Sequence, residues 1–181
     1  FWQNGYPGTS LTDLTTAMEI NKPSLYAAFG NKEKLFVQAL ELYLNQHGVV
    51  HSQQLITPNL VLAQRIHNYL SSIAQMVTDP KLPKGCFICL CTSEVSGTRL
   101  PENSALTVKN INESTLNFLT EFFEQEKSAT SCKSTVLSKF TANHLANYVL
   151  TLQFGLAVSA RNGSDITQLE QTIAAAVSLF E

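Results

Sequence analysis

Hydrophobic residues recur at helical spacing along most of the chain. Leu11, Leu14 and Met18 lie three and four residues apart, and Leu40 and Leu44 repeat the spacing further on. Residues at these intervals share one face of an α-helix, so the pattern predicts amphipathic helices. The alternation of apolar and polar residues that is typical of paired strands is not found. We therefore expect an all-α protein.

Capping signals divide the N-terminal part into three short helices. Ser10, or Thr9 before it, can cap the first helix, and Asp13 can complete a capping box with Ser10. Asn21 can cap the second helix, and Asn31 can cap the third after a glycine that suits the end of the second. Two helices joined by about three residues match a helix-turn-helix, whose second helix enters the DNA major groove.

The sequence around these helices is more specific than the general motif. The residues GYPGTSL precede the first helix, and KPSLYAAFGNKEKLF covers the second helix and the start of the third. This pattern resembles the DNA-binding domain of the tetracycline-repressor (TetR) family of transcriptional regulators, over roughly residues 1–44. The resemblance implies a helix-turn-helix domain followed by a helical domain that binds a ligand and dimerises. Family members usually carry a basic arm and most of a first helix before this point, so we expect such residues to precede Phe1.

On this basis the chain is divided into two domains. Residues 1–46 are predicted to bind DNA, with a connector helix at 31–46, and residues 47–181 to bind a ligand and dimerise. The run at 85–95 is apolar nearly all round, which predicts a helix buried on all sides, although such a run also suits a strand. The later helices are predicted at 60–77, 85–95, 104–127, 135–160 and 166–180, with a loop at 96–103 and a small-residue linker at 128–134.

The resemblance implies DNA contacts from the second helix and from the caps around it. Lys22 and Ser24 would approach base edges, and Tyr26 would lie on a phosphate. Lys32 aligns with a lysine that commonly contacts the DNA backbone, and the start of the first helix would offer a hydroxyl and its N-terminus to a phosphate. The alternative for Tyr26 is a packed aromatic ring whose hydroxyl lies in water. The predicted DNA-binding residues are Thr9, Ser10, Asn21, Lys22, Pro23, Ser24, Tyr26 and Lys32.

In regulators of this family the helical domain binds an inducer in a cavity between its middle helices. The residues that the resemblance places there are mostly apolar or aromatic, so a neutral hydrophobic molecule is favoured. The alternative is that each of them belongs to the ordinary core. The predicted pocket residues are Tyr69, Ile73, Met76, Phe87, Cys91, Leu119, Phe122 and Phe154.

The last two helices carry more apolar surface than one core-facing stripe requires. The resemblance implies that a second copy of the chain covers it in a four-helix interface, and the alternative is a larger intramolecular core. A two-fold homodimer also suits palindromic operator DNA. The predicted dimer residues are Leu145, Tyr148, Leu152, Leu156, Leu169, Ile173 and Val177.

Charge limits how the N-terminal domain can bind DNA. The chain has a net charge of −2, and residues 1–46 hold three lysines and four acidic residues. A DNA-binding domain usually presents a basic surface. The salt-dependent part of the affinity, however, depends on the number of phosphate contacts. A few well-placed groups must therefore carry the affinity.

Three neighbouring cysteines, Cys86, Cys89 and Cys91, suggest a metal or redox site. On a helix the first two share a face, but Cys91 points about 160° away from Cys86, and tetrahedral zinc takes four ligands. We therefore expect small buried hydrophobic side chains, with no metal and no cofactor. The chain also lacks an apolar run of about eighteen residues and a visible secretory signal, and a reducing cytoplasmic setting is expected.

Motifs for catalysis are not apparent. No glycine-rich phosphate loop, metal triad or nucleophile with a matched base stands out, so the chain is not predicted to be an enzyme. Together with the resemblance, the sequence predicts a ligand-responsive repressor that a small hydrophobic inducer releases from operator DNA. Two alternatives stay open: a thiol- or metal-responsive regulator of the same fold, and a helical ligand-binding module that has lost DNA binding.

Overall fold

The computed structural model describes residues 1–95, 99–129 and 135–181. Regular secondary structure in these ranges is entirely helical, which confirms the all-α prediction. Among the helices described, none is long and apolar enough to cross a membrane. The described ranges omit part of the predicted loop (96–98) and most of the predicted linker (130–134), which includes Cys132. The α-helices are α1 (Leu11–Ala17), α2 (Lys22–Phe29), α3 (Lys32–Tyr43), α4 (Val49–Ser52), α5 (Leu62–Thr78), α6 (Phe87–Val95), α7 (Glu102–Ser128), α8 (Thr135–Lys139), α9 (Ala142–Arg161) and α10 (Ile166–Val177).

The predicted caps of the three N-terminal helices are present. The Ser10 hydroxyl accepts from the Asp13 N–H, and the Asp13 carboxylate accepts from the Ser10 N–H at 2.7 Å, which completes the capping box. Asn21 and Asn31 each accept from the N–H three residues further on, at 2.8 Å. Gly30 ends α2 with a φ of +79°, a conformation that other residues rarely adopt. These local signals place α1, α2 and α3 where the sequence predicts them.

The connector helix is longer than predicted. Leu44–Gly48 forms a π-helical segment directly after α3, and α4 follows it without a break. The helical run therefore continues to Ser52 and does not end at Gln46. The predicted boundary between residues 46 and 47 falls inside this run, and the division into two domains stays a prediction.

Two other expectations about helices need correction. The helix predicted at 135–160 is interrupted, because the Thr141 side chain accepts from the N–H of His144 at 3.1 Å and caps a new helix, α9. Helix α6 is not buried on all sides, since four of its nine residues are buried and the remainder are half-buried or exposed. It therefore lies at the edge of the core.

Helices α5, α7, α9 and α10 form the core of the C-terminal part. Ile66 and Leu70 of α5 and Leu119 and Phe123 of α7 are fully buried there. Removing a side chain of this size from water contributes roughly 1.5–3 kcal/mol to folding. The apolar faces of α9 and α10 complete the same core.

Most of the predicted dimer residues belong to this intramolecular core. Five of them are between 1% and 5% exposed within the single chain, because their helices pack on α5 and α7, and the other two are half-buried against the same cluster. This corrects the prediction that they form an interface and agrees with the alternative of a larger core. The five buried residues are Leu145, Leu156, Leu169, Ile173 and Val177, and the two half-buried ones are Tyr148 and Leu152.

The N-terminal segment that precedes α1 is attached to the C-terminal part. The Trp2 indole N–H donates to the carbonyl of Gly85 at 2.8 Å, and the Arg161 guanidinium donates to the carbonyls of Trp2 and Gln3. The backbone N–H of Tyr6 donates to the Glu94 carboxylate at 3.1 Å. These bonds join residues 1–8 to α6, to the loop before it and to the end of α9.

Candidate nucleic-acid interface and ligand cavity

Helix α2 presents an exposed face near its N-terminus. Lys22, Pro23 and Ser24 are exposed, and Tyr26 is 45% exposed. Leu25, between Ser24 and Tyr26, is fully buried and fixes α2 against its neighbours. The exposure of Tyr26 disfavours its interpretation as a packed ring. The N-terminal end of α2 therefore exposes a lysine and a tyrosine on one face and a serine hydroxyl on another.

The start of α1 is less suited to phosphate than predicted. The Asp13 carboxylate binds the Ser10 N–H, and the backbone and side-chain hydrogen bonds from Ser10 lower the pKa of Asp13. A negative charge therefore already lies at this helix N-terminus. The exposed Ser10 hydroxyl remains able to donate to a phosphate.

Two residues that were predicted to contact DNA, Thr9 and Lys32, instead donate hydrogen bonds within the protein. Thr9 is 4% exposed, and its hydroxyl donates to the carbonyl of Gly5 at 2.7 Å. The Lys32 ammonium group donates to the carbonyl of Tyr6 at 2.7 Å, lies 4.1 Å from the centre of the Tyr6 ring, and has its pKa lowered mainly by burial. Thr9 therefore does not present its hydroxyl at the surface, and Lys32 holds the segment before α1.

A cavity of about 490 Å³ lies between the helical run at 44–52 and helices α5, α7 and α9. Three predicted pocket residues of α5, Tyr69, Ile73 and Met76, line it. The other five do not, which corrects their assignment. Phe87 packs edge-on against Phe36 and Tyr43, and the remaining four are buried or half-buried elsewhere: Cys91, Leu119, Phe122 and Phe154.

Most of the residues that line the cavity were not predicted from the sequence. On α7, Thr107, Asn110, Ser114 and Phe118 follow one another at intervals of three and four residues, so the spacing shows that they share a face. On the helical run, Leu44, His47 and His51 also follow one another at intervals of three and four residues, although the helix was predicted to end at Gln46. The missed lining residues are Tyr43, Leu44, His47, Gly48, Val49, His51, Ser52, Cys86, Ile88, Thr107, Asn110, Ile111, Asn112, Ser114, Thr115, Phe118, Leu150 and Gln153.

The three neighbouring cysteines occupy different environments. Cys86 lines the cavity, and its sulfur accepts from the Tyr43 hydroxyl at 3.2 Å. Burial raises the pKa of Cys89 to about 11 and also raises the pKa of Cys91, so both thiols are protonated at neutral pH. Among the described residues, no group of three or more His, Cys, Asp or Glu side chains is placed to hold a metal ion.

The exposed second helix of a helix-turn-helix, joined by a helical run to a cavity in a helical domain, defines a DNA-binding regulator. The family model described as bacterial regulatory proteins, tetR family, matches residues 1–39. The HTH-type transcriptional repressor ComR of Escherichia coli (strain K12) is 30% identical over 183 residues, which cover 99% of this chain and 83% of ComR. The chain belongs to the TetR family of transcriptional regulators. These are non-enzymatic DNA-binding transcription factors, which confirms the predicted family and class.

Solved structures show the same fold. A cysteine mutant of the TetR family regulator CifR, in complex with a 26-base-pair operator DNA, is 28% identical with a TM-score of 0.81. The match covers 99% of this chain and 91% of CifR. The reduced form of Escherichia coli NemR has the same fold at 20% identity, with a TM-score of 0.77 over 97% of this chain and 88% of NemR.

Proposed function

We propose that this chain is a cytoplasmic, homodimeric repressor that binds a palindromic operator and is released from it by a neutral molecule bound in the cavity. The observation that carries the proposal is the exposed N-terminal part of α2, where Lys22 and Tyr26 share one face and Ser24 is exposed on another. The operator complex of the similarly folded CifR supports a DNA partner for this face. Asn21 and Pro23 contribute by capping and starting the helix, and Ser10 adds a hydroxyl beside it.

The cavity supports the ligand-responsive part of the proposal. Its wall includes Tyr43, at the end of α3, and His47, in the π-helical segment that follows. Helix α3 packs against α2, so a displacement at the cavity can change the position of α2. A ligand releases DNA in this way only if it binds the conformer without DNA more tightly. A thiol response has less support, because Cys89 and Cys91 are not thiolates at neutral pH.

The homodimer is proposed to form through the outward faces of α9 and α10. Thr151, Gly155 and Val158 are exposed on α9, and Ala175 and Leu179 are exposed beyond the buried face of α10. Apart from Gly155, its two chain neighbours and the nearby backbone of its own helix, no atom of the described residues lies within 4 Å of the position that a Cβ of Gly155 would occupy, so another helix can approach closely there. Small residues on both helices suit such an approach. We propose this exposed face as the dimer interface in place of the residues predicted from the sequence, most of which are buried.

The DNA-binding part is tested by selecting bound fragments from a genomic DNA pool and measuring affinity for the selected sequence by fluorescence anisotropy. Lys22→Ala and Tyr26→Ala are each expected to weaken binding about tenfold, since each removes a group from the exposed face of α2. Lys139→Ala removes the same charge from an exposed position on α8 and serves as the control. Unchanged affinity in both α2 variants would contradict the proposal.

A further inference from the structure

Trp2 contacts two residues of the cavity wall. The centre of its ring lies 4.8 Å from that of Tyr43 and 5.2 Å from that of His47, and it meets both rings edge-on. Tyr43 and His47 line the cavity, whereas Trp2 does not. Edge-on ring contacts are favourable only over a narrow range of positions. A ligand that displaces either wall residue therefore also disturbs the packing of Trp2.

Hydrogen bonds hold Trp2 to the same wall. Its indole N–H donates to the carbonyl of Gly85 at 2.8 Å. The next residue, Cys86, lines the cavity and accepts from the Tyr43 hydroxyl at 3.2 Å. The Arg161 guanidinium donates to the carbonyl of Trp2 at 3.2 Å. Trp2 is therefore attached to the cavity wall through both its side chain and its backbone.

Tyr6, four residues after Trp2, is held by the DNA-binding part. The Lys32 ammonium group donates to the carbonyl of Tyr6 at 2.7 Å, and the Tyr6 ring packs edge-on against Phe36 of α3 at 5.1 Å. Lys32 is the first residue of α3 and comes just after the end of α2. The Thr9 hydroxyl, directly before the cap of α1, donates to the carbonyl of the residue before Tyr6. The segment therefore contacts the chain on both sides of the helix-turn-helix.

Helix α3 joins the cavity to α2 over a longer distance. Tyr43 is the last residue of α3 and lies about 16 Å along the helix axis from Lys32. The N-terminal segment connects the same two regions with only four residues from Trp2 to Tyr6. Coupling between separate sites is carried by packed side chains and hydrogen-bond networks, and this segment has both at each end.

We infer that residues 1–8 form a second connection, in addition to α3, between the cavity and the DNA-binding helices. A ligand that displaces a ring of the wall moves Trp2, and Tyr6 passes the movement to Lys32 and to the start of α1. The inference rests on the proposed ligand-responsive function and names how the cavity is coupled to the DNA-binding helices. Trp2 acts as a positioning residue in this connection.

Hydrogen exchange in the free protein tests the connection without ligand or DNA. His47→Ala removes one of the two rings that Trp2 packs against, so the amides of α1 should exchange about threefold faster in mass-spectrometric measurements. Phe118→Ala removes a ring from the α7 side of the same wall and should leave α1 unchanged. Equal exchange of α1 in the two variants would overturn the inference.

A double-mutant cycle assigns the effect to Trp2. In Trp2→Ala, the further change His47→Ala should not alter the exchange of α1, because the contact that carries the displacement is already lost. Trp2→Phe keeps a ring against Tyr43 and should retain most of the effect of His47→Ala. An effect of His47→Ala that is equally large with and without Trp2 would assign the coupling to α3 and overturn the inference. Thermal melts check that each variant is folded.

Operator binding provides a separate measurement. Trp2 is the only tryptophan of the chain, so tryptophan fluorescence reports on this residue alone. Coupling free energies are reciprocal, so the selected operator should shift the emission of Trp2, and a scrambled duplex of the same length should not. If the operator binds without this shift, the inference fails and the proposed DNA binding holds. If no operator binds, the proposed function fails, and hydrogen exchange alone supports or overturns the connection.

Discussion

Glu94 is a buried acid that joins α6 to the segment before α1. Its carboxylate accepts the Tyr6 N–H, and burial raises the pKa of Glu94 above its ordinary value. Gly5 has a φ of +71°, and a Cβ at Gly5 would lie 1.8 Å from an oxygen of Glu94. A glycine is therefore required at this position for both its conformation and its size. The two residues are far apart in sequence, so no local pattern predicts their contact.

His51 provides a prediction about pH and stability. Its pKa is about 4 in the folded chain and near 6.5 when unfolded. Between these values the unfolded chain binds a proton that the folded chain does not, so the free energy of unfolding falls as the pH falls. We expect a loss of about 2 kcal/mol between pH 6.5 and pH 4.5 from this residue alone.

Urea denaturation of wild-type protein and His51→Gln at pH 7.5, 6.5, 5.5 and 4.5 checks this expectation. The other histidines and the carboxylates titrate in both proteins, so the difference between the two curves isolates His51. The variant should lose less stability than the wild type on acidification. Parallel curves would show that His51 has the same pKa in both states.

At the scale of single residues, sequence reasoning succeeded where the interaction is local. The capping box of Ser10 and Asp13 and the cap of Asn21 involve residues three apart, and their geometry follows from the sequence. The contact of Lys32 with Tyr6 and the position of His51 depend on the packing of distant segments. Such contacts have no sequence signal in one chain.

Helix α2 depends on its cap, and this gives a prediction at the scale of elements. Asn21→Ala removes the acceptor of the Ser24 N–H and should cost about 1 kcal/mol, or roughly 2–4 °C in Tm for a chain of this size. Asn117→Ala makes the same change at an exposed position inside α7. There the effect should be neutral or slightly stabilising, since alanine favours a helix interior. The prediction fails if circular-dichroism melts show equal shifts for the two variants.

The elements that sequence reasoning misplaced share one physical cause. Apolar spacing alone cannot show where a helix stops, and the break before α9 depends on the cap that Thr141 provides. The run from α3 to α4 continues past Gln46 because a π-helical segment joins them, although residues 48–59 look polar. Element type was therefore predictable, and some element ends were not.

At the scale of the whole molecule, the proposed dimer gives a further prediction. Gly155→Glu places a charge where, among the described residues, no atom outside the neighbouring backbone of α9 lies within 4 Å of the new Cβ, so the monomer should fold normally. If α9 and α10 form the interface, the paired charges repel each other across the two-fold axis, and the dimer should weaken at least tenfold. Sedimentation equilibrium measures this change.

Gly155→Ala is the matched control for the dimer, because it adds a Cβ without a charge and should leave the dimer largely intact. A wild-type monomer, or an unchanged dimer in Gly155→Glu, would contradict the proposed interface. Loss of the dimer should also reduce operator affinity, because two half-sites are then no longer bound together.

The architecture as a whole was predictable because the helix-turn-helix pattern within residues 1–44 is specific and the remaining periodicity is helical. The sequence did not allow us to predict which apolar residues belong to the core and which belong to a dimer interface. Leu145 and Ile173 look the same in sequence whether their helices pack on α5 and α7 or on a second chain. Only the three-dimensional arrangement separates these cases.

The π-helical segment determines the directions in which the side chains of the following residues point. One additional residue in a helical turn rotates the later side chains by about 100° relative to an uninterrupted α-helix. His47 and His51 line the cavity, and an uninterrupted α-helical extension of α3 would point the residues after the π-helical segment in a different direction. We therefore expect loss or gain of a single residue between α3 and α4 to turn His51 away from the cavity without changing the sequence of α1 and α2. Under the proposed ligand-responsive function, insertions and deletions at this point are expected to change which ligand the cavity binds independently of the DNA that α2 contacts.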